Sequence, residues 1–529
     1  MIQTIKPLKR IPMANENKTV TRAAGVIGVA TLASRIMGFL RDMATAWFFG
    51  AGLLSDAFFV AFRIPNMLRR LLAEGSLSMV FVPVFTEYLT GKGRDEAFRM
   101  AFAMFRFLSV VLVAVTLAGI LFSPGIVRLM APGFGGEKLA LTVFLTRIMF
   151  PYVFFICLVA LCMGMLNVLG HFAAPALAPV LLNLAMIGGM VFIAPHMQEP
   201  VVGLAIGVII GGILQLALQA PFMWRNGFRF YRKTAFFHPG VQRVVLLMGP
   251  AVIGAAVHQI NIFVGTLLAS LLPEGSVSYL YYADRLVEFP LGIFAISLSV
   301  AVLPSLSRQA AARDFDAMSQ TFVHAMNLTF FITLPAMVGL IIMSKPIITL
   351  LFQHGAFDAE STRATAFALI CYSSGLWAYS AVRILVSAFY SLQDTRTPVK
   401  MATIAIIANI LLSLALMGEL LHGGLALATA LASMINFCLL AYALREKMGS
   451  LKWQKMIVPI FKSVICSLVM GAGLWTALAW FPTPEQFSKI AAFARVMGGV
   501  GVGMILYIAA AVLLKCRELN DMLAMFKKG

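Results

Sequence analysis

The chain has 529 residues, of which 60% are apolar and only 12% charged, with a mean hydropathy of +0.91. A soluble domain carries about 25% charged residues, so this balance excludes one and points to an integral membrane protein. The net charge of +19 would suggest a nucleic-acid partner in a soluble chain. In a membrane chain basic loops on one side account for it, and no nucleic acid is expected.

Lipid leaves only helices or closed barrels as spanning structures. Long continuous apolar blocks, rather than short alternating strands, predict an all-α polytopic fold. Residues 1–22 hold five Lys/Arg before the first block, but no cleavage signal follows, so an uncleaved first span is expected. The predicted spans are 24–48, 55–89, 98–122, 140–164, 175–194, 201–223, 243–272, 277–306, 318–344, 364–391, 399–420, 423–444, 456–480 and 490–514. That makes about fourteen, each near the 20 apolar residues a crossing needs. The second is too long for one straight crossing and is expected to bend at Pro65 or Gly75.

Loops on the N-terminal side hold 25 Lys/Arg, and the opposite loops, apart from Arg363 at the edge of span 10, only Arg128, Lys138, Lys345 and Lys489. Both termini are therefore expected in the cytoplasm. The six cysteines lie in or beside apolar blocks without metal spacing, and the seven histidines are scattered. No metal site, cofactor or enzyme motif emerges, and no loop is long enough for a catalytic domain.

Two echoes suggest duplication. SLSMVFVP (Ser76 to Pro83) matches SLSVAVLP (Ser297 to Pro304) at an offset of 221, and LGHFAAP (Leu169 to Pro175) matches LQDTRTP (Leu392 to Pro398) at 223. The unit implied is six helices, repeated in parallel, with two C-terminal helices left over. The expected organisation is 1–22 extension, 23–223 first lobe, 224–242 basic linker, 243–446 second lobe, 447–515 last helix pair and 516–529 tail. Gly203, Gly207 and Gly211 in span 6 read as a close-packing stripe.

Charges inside spans are costly, roughly 2.5–3.5 kcal/mol each at a helix centre on an insertion scale. In ASRIMGFLRDM of span 1, Arg35 and Asp42 are seven apart and share a face, with Arg41 beside them. Span 2 carries Asp56, Arg63 and Arg70 at i, i+7, i+14, extended by Glu74, with Arg69 adjacent. Span 8 places Asp284 and Glu288 on one face, Arg285 between them, and span 10 adds Arg383. If these helices line a groove between lobes, the groove is rich in guanidinium, the group suited to phosphate oxygens. Arg63, Arg70 and Glu74 read equally as interfacial residues or as a network tying span 2 to span 1. Asp56, Asp284 and Glu288 read equally as structural ion-pair partners. Arg106, Arg147, Arg363 and Arg495 lie near span ends and read as snorkelling. These residues predict a transporter with a cationic cavity for an anionic, phosphorylated substrate.

SRIMGFLRD, FGAGLLSDAFFVAFRIPNMLRRLLAEGSLSMVFVPVF, YYADRLVEFPLGIFAISLSVAVLPSLS and AFYSLQDTRTPVK resemble the MviN/MurJ family of lipid II flippases. The resemblance runs from about Thr21 to the C-terminus. It implies fourteen helices of the MOP exporter superfamily, two six-helix lobes and a last pair forming a groove for the lipid tail. It implies flipping of undecaprenyl-pyrophosphate-linked disaccharide-pentapeptide from inner to outer leaflet of a bacterial plasma membrane, for peptidoglycan synthesis, by alternating access. The family's cavity arginines fall on Arg35, Arg41, Arg69 and Arg285, with Arg70 beside them; its sensitive acids and polar residues fall on Ser34, Asp42, Asp56, Glu74, Asp284 and Glu288. Asn167 occupies a matching polar site.

The departure from the family concerns coupling. Spans 7 and 11 hold Gln259, Asn261 and Asn409 but no intramembrane carboxylate, with Glu419 at a span end. A sodium-coupled cycle is not supported, and membrane potential or another ion stays open. Expected partners are lipid II, membrane lipids and proteins of wall synthesis, with the chain itself a monomer. The alternatives are a polysaccharide-lipid flippase or a drug antiporter of the same superfamily.

Overall fold

The computed structural model describes residues 13–229, 238–449, 453–480 and 489–527, so most of the predicted N-terminal extension and the centre of the basic linker lie outside it. The described residues are helical throughout, without a strand. The first half contains α1 (Met13–Phe49), α2 (Leu53–Arg69), α3 (Ser78–Gly91), α4 (Arg94–Leu121), α5 (Ser123–Met130), α6 (Gly136–Met149), α7 (Tyr152–Val168), α8 (Ala173–Gly188) and α9 (Val201–Arg225). The second contains α10 (Pro239–Ser270), α11 (Ser276–Pro290), α12 (Ile296–Ala311), α13 (Phe315–Ile342), α14 (Ser344–Leu351), α15 (Ala359–Ser373), α16 (Leu376–Ser391) and α17 (Arg396–Met448). Then follow α18 (Gln454–Trp480), α19 (Lys489–Leu513) and α20 (Arg517–Lys527).

Among the described residues nine helices are long and apolar enough to cross a membrane, or ten if α15 and α16, bent by 40°, count as one. Three predicted spans fall outside that set. They fall on α1, on α2 with the π-helical turn that ends it after 17 residues, and on the 32-residue α10; in α1 and α10 several side chains lie outside the described residues. Spans 11 and 12 run together as α17, broken at Leu421, where φ is 49° and ψ −131°. Many large apolar side chains face outward, among them Leu117, Phe192, Leu246 and Trp475. A soluble monomer does not carry such surface; a multi-pass membrane protein does.

The duplication extends well beyond the two sequence echoes. α4 and α13 are both 28 residues long, and their first and last residues lie 221 apart. The eight-residue helices α5 and α14, which no sequence signal announced, also match at both ends at 221. π turns at Arg70–Leu77 and Leu291–Ala295 begin 221 apart. Each inserts a residue into the helical ladder and turns the following helix about its axis. In span 2 the π turn contains Gly75, whereas Pro65 is carried inside α2. After α14 the offset becomes 223. It relates the ends of α7 and α16, the starts of α8 and α17, and the left-handed residues Gly170 (φ 81°) and Gln393 (φ 57°) between them. In the latter turn Asp394 accepts hydrogen bonds from Lys447 Nζ and Thr397 Oγ1, both at 2.6 Å. These partners, Lys447 foremost, hold its carboxyl far below the usual carboxylate range.

By spatial clustering the chain forms two compact units, 1–45 with 60–127 and 136–260, and 46–59 with 128–135 and 261–529. In the first, α9 packs on α8 through its glycine stripe. A Cβ at Gly207 would lie 2.7 Å from the Ala185 carbonyl oxygen, and one at Gly211 would lie 2.6 Å from Leu182 Cδ1. The stripe is a packing device, as its spacing predicts. In the second unit one core gathers Met318, Phe322, Leu385 and Phe389, and another gathers Phe331, Cys466, Met470 and Tyr507.

Candidate functional site

In the first unit α1 carries a buried ion pair toward its C-terminal end. Arg41 and Asp42 are only 9% and 3% exposed. Arg41 donates to Asp42 Oδ1 from Nε at 3.0 Å and from Nη2 at 2.7 Å. Its Nη1 donates to Asn183 Oδ1 of α8 at 3.0 Å, and Asn183 Nδ2 returns a bond to the Ser34 carbonyl at 3.3 Å. A Cβ at Gly38 would sit 3.5 Å from Asn183 Nδ2, an ordinary contact, so the amide does not require a glycine there. Asp42, which shares a face with Arg35, is bonded by its neighbour Arg41. Arg35 is exposed and Ser34 half-buried. Asn183 was missed in the sequence, where a lone Asn inside LLNLAMIGG carries no spacing signal.

On span 2, Arg63, Arg69 and Arg70 are half-buried, and Arg69 Nε donates to Asn66 Oδ1 at 2.8 Å. The side chain of Glu74 lies outside the described residues. Asp56, Arg63 and Arg69 lie along the single helix α2, and Arg70 begins the π turn that follows it. Asn167 is exposed at the end of α7. Of the arginines read as snorkelling, Arg363 is exposed, Arg147 Nε donates to Ser123 Oγ at 3.0 Å, and Arg495 donates to the Leu478 carbonyl near the end of α18. Arg106 lies over the Phe102 ring.

In the second unit Asp56, 1% exposed, accepts from Gly275 N at 2.8 Å, Ser278 N at 2.9 Å and Ser278 Oγ at 2.6 Å. These are donors at the N-terminus of α11, so a carboxylate from one repeat caps a helix of the other. The exchange is reciprocal: Leu53 N, at the start of α2, donates to Glu274 Oε1 at 2.8 Å. Gly275 adopts φ +89°, and a Cβ there would lie 2.8 Å from the Ala51 carbonyl oxygen, so only glycine fits. Asp56→Asn keeps an acceptor but turns an N–H toward donors. Detergent-solubilised protein should lose about 1–2 kcal/mol of unfolding free energy; an unchanged unfolding midpoint would show that the cap contributes nothing.

Arg285 of α11 rests on an aromatic shelf. Its guanidinium lies 4.9 Å from the Tyr281 ring centroid, and that ring stacks on Phe59 at 3.9 Å. Nη1 donates to Glu288 Oε2 at 2.8 Å and Nη2 to Tyr281 Oη at 3.1 Å. Asp284 and Glu288 are exposed. The shelf fixes the direction of the guanidinium while leaving it half-buried and accessible. In spans 7 and 11 Asn409 Nδ2 donates to Asn261 Oδ1 at 2.9 Å. No cluster of metal-ligating acids, histidines or cysteines occurs among the described residues.

Comparison with known proteins settles the family. A family model described as "Lipid II flippase MurJ" matches residues 45–498. The chain belongs to the MurJ family of lipid II flippases. A probable lipid II flippase MurJ of Vibrio cholerae is 36% identical over 528 residues, covering 96% of this chain and 98% of its own. The lipid II flippase MurJ of Burkholderia cenocepacia is 36% identical over 471 residues, covering 86% and 90%. Among solved structures, a MurJ in an inward closed conformation superposes with a TM-score of 0.78 at 28% identity, covering 93% of this chain and 99% of that one. An inward-facing multidrug resistance transporter of the MATE family and MOP superfamily shares the fold alone, with a TM-score of 0.67 at 15% identity over 80% and 98%. MurJ is a transporter family rather than an enzyme family, and the family resemblance read from the sequence holds.

Proposed function

We propose that this chain flips lipid II from the inner to the outer leaflet of a bacterial plasma membrane by alternating access. The observation that carries the proposal is a set of arginines set into apolar helices, in a chain of the MurJ family. Arg35 is exposed, Arg41 is held by Asp42 and Asn183, and Arg285 rests on Tyr281. Guanidinium groups match pyrophosphate oxygens in charge and geometry. Arg69, Arg70, Ser34 and Asn167 are proposed to complete the substrate contacts, with Asp42, Asp56, Asp284 and Glu288 positioning or gating. The long prenyl chain is proposed to follow the lipid-facing side of α18 and α19. The ratio of 25 to four basic residues on opposite loops supports cytoplasmic termini.

A drug antiporter is the reading the shared fold alone would allow. Exporters of cationic compounds favour acidic sites, whereas basic residues dominate here. Depletion of the protein in its native host, with leaflet-specific detection of lipid II, tests the proposal. Lipid II should accumulate on the cytoplasmic face; unchanged exposure on the outer face would exclude this substrate.

A further inference from the structure

α13 contains a proline at position 335. Proline has no N–H, so the carbonyl four residues earlier, that of Phe331, loses its helical donor. Phe331 lies midway along predicted span 9, 318–344, where no water is at hand to replace that donor and an unsatisfied carbonyl is costly. Tyr507 of α19 supplies it: its hydroxyl donates to the Phe331 carbonyl at 2.6 Å. The two rings also meet, with centroids 5.1 Å apart. Both residues are buried, Phe331 at 2% and Tyr507 at 8% exposure.

The internal repeat provides a control. In α4, which matches α13 end to end at 221, the counterpart of Pro335 is Ala114 and that of Phe331 is Val110. The ladder of α4 is unbroken there, and Val110 is 58% exposed. The first half thus has neither the broken carbonyl nor a helix covering it. Proline, orphaned carbonyl and tyrosine occur together only in the copy of this helix on which the additional α18–α19 pair packs.

We infer that Tyr507 is a positioning residue: its hydroxyl fastens the terminal hairpin to α13 at the carbonyl that Pro335 releases, so hairpin and α13 move as one body. Its importance for transport rests on the proposed function, in which the hairpin guides the prenyl chain. The attachment itself does not.

The test is a double-mutant cycle in the full chain, read in two ways. Transport is read as lipid II reaching the outer leaflet. Attachment is read, in a background lacking the native cysteines, as disulfide yield between Val338→Cys and Gly471→Cys. A Cβ at Gly471 would lie 2.8 Å from Val338 Cγ1, near the Cβ-to-sulfur separation across a disulfide. Tyr507→Phe should lower both readouts about five- to tenfold, since it leaves a buried carbonyl without a donor. In the Pro335→Ala background the alanine N–H takes that carbonyl, and Tyr507→Phe should then change either readout less than twofold. An equal loss in both backgrounds, or no loss of cross-linking in the first, overturns the inference. A chain that cross-links as expected but moves no lipid II in its unmodified form refutes the proposed function and leaves the attachment standing.

Discussion

Replacing Arg285 by alanine should lower lipid II flipping by at least about 30-fold while the protein remains inserted at near-normal abundance. Truncating one partner of a hydrogen-bonded charge pair costs about 2–5 kcal/mol, and each 1.4 kcal/mol is tenfold. The fold loses far less. Arg285 and Glu288 are an i, i+3 pair with side chains 36% and 53% exposed, and such a pair contributes only a few tenths of a kcal/mol. Stacking over Tyr281 adds about 0.5–1 kcal/mol. The two estimates separate a ligand from a strut. Arg285→Lys keeps the charge but not the planar fork, and should fall between alanine and the unmodified chain. Leaflet-resolved lipid II together with the amount of protein in the membrane checks both variants. Normal lipid II exposure in Arg285→Ala would remove this residue from the substrate site.

What sequence could show divides along a physical line. Features set by composition or by local spacing were legible. Apolar blocks announced the helices, the spacing of Gly203, Gly207 and Gly211 announced a packing face, and two short echoes announced a duplication that α4 and α13 then follow end to end. Features that depend on a distant partner were not. Asp56 looked like one more intramembrane acid because its donors, Gly275 and Ser278, lie 219 and 222 residues away. Asp42 shares a face with Arg35 by helical periodicity, yet it is the guanidinium of the adjacent residue that bonds it. The π turns were invisible because one inserted residue leaves hydropathy unchanged.

Replacing Arg41 by alanine should destabilise the first unit by about 3–5 kcal/mol, because it removes the guanidinium that donates twice to the buried Asp42 carboxylate. Asp42→Ala should cost a similar amount for the mirrored reason, softened by the bond from Arg41 to Asn183. Removing both takes two desolvated charges out of the protein at once. The double variant should therefore be more stable than either single one, a sign of coupling that a pair of unrelated packing defects would not give. Unfolding of solubilised protein measures this, and additive losses would contradict the buried-pair account. The same double variant tests transport. A buried ion pair is seldom more stable than apolar side chains of similar volume, so stability alone is a weak reason to carry one within α1. If Arg41 also meets the substrate, the double variant should recover insertion without recovering lipid II export. If it merely ties α1 to α8, restored folding should restore export as well, and the substrate site would then rest on Arg35 and Arg285.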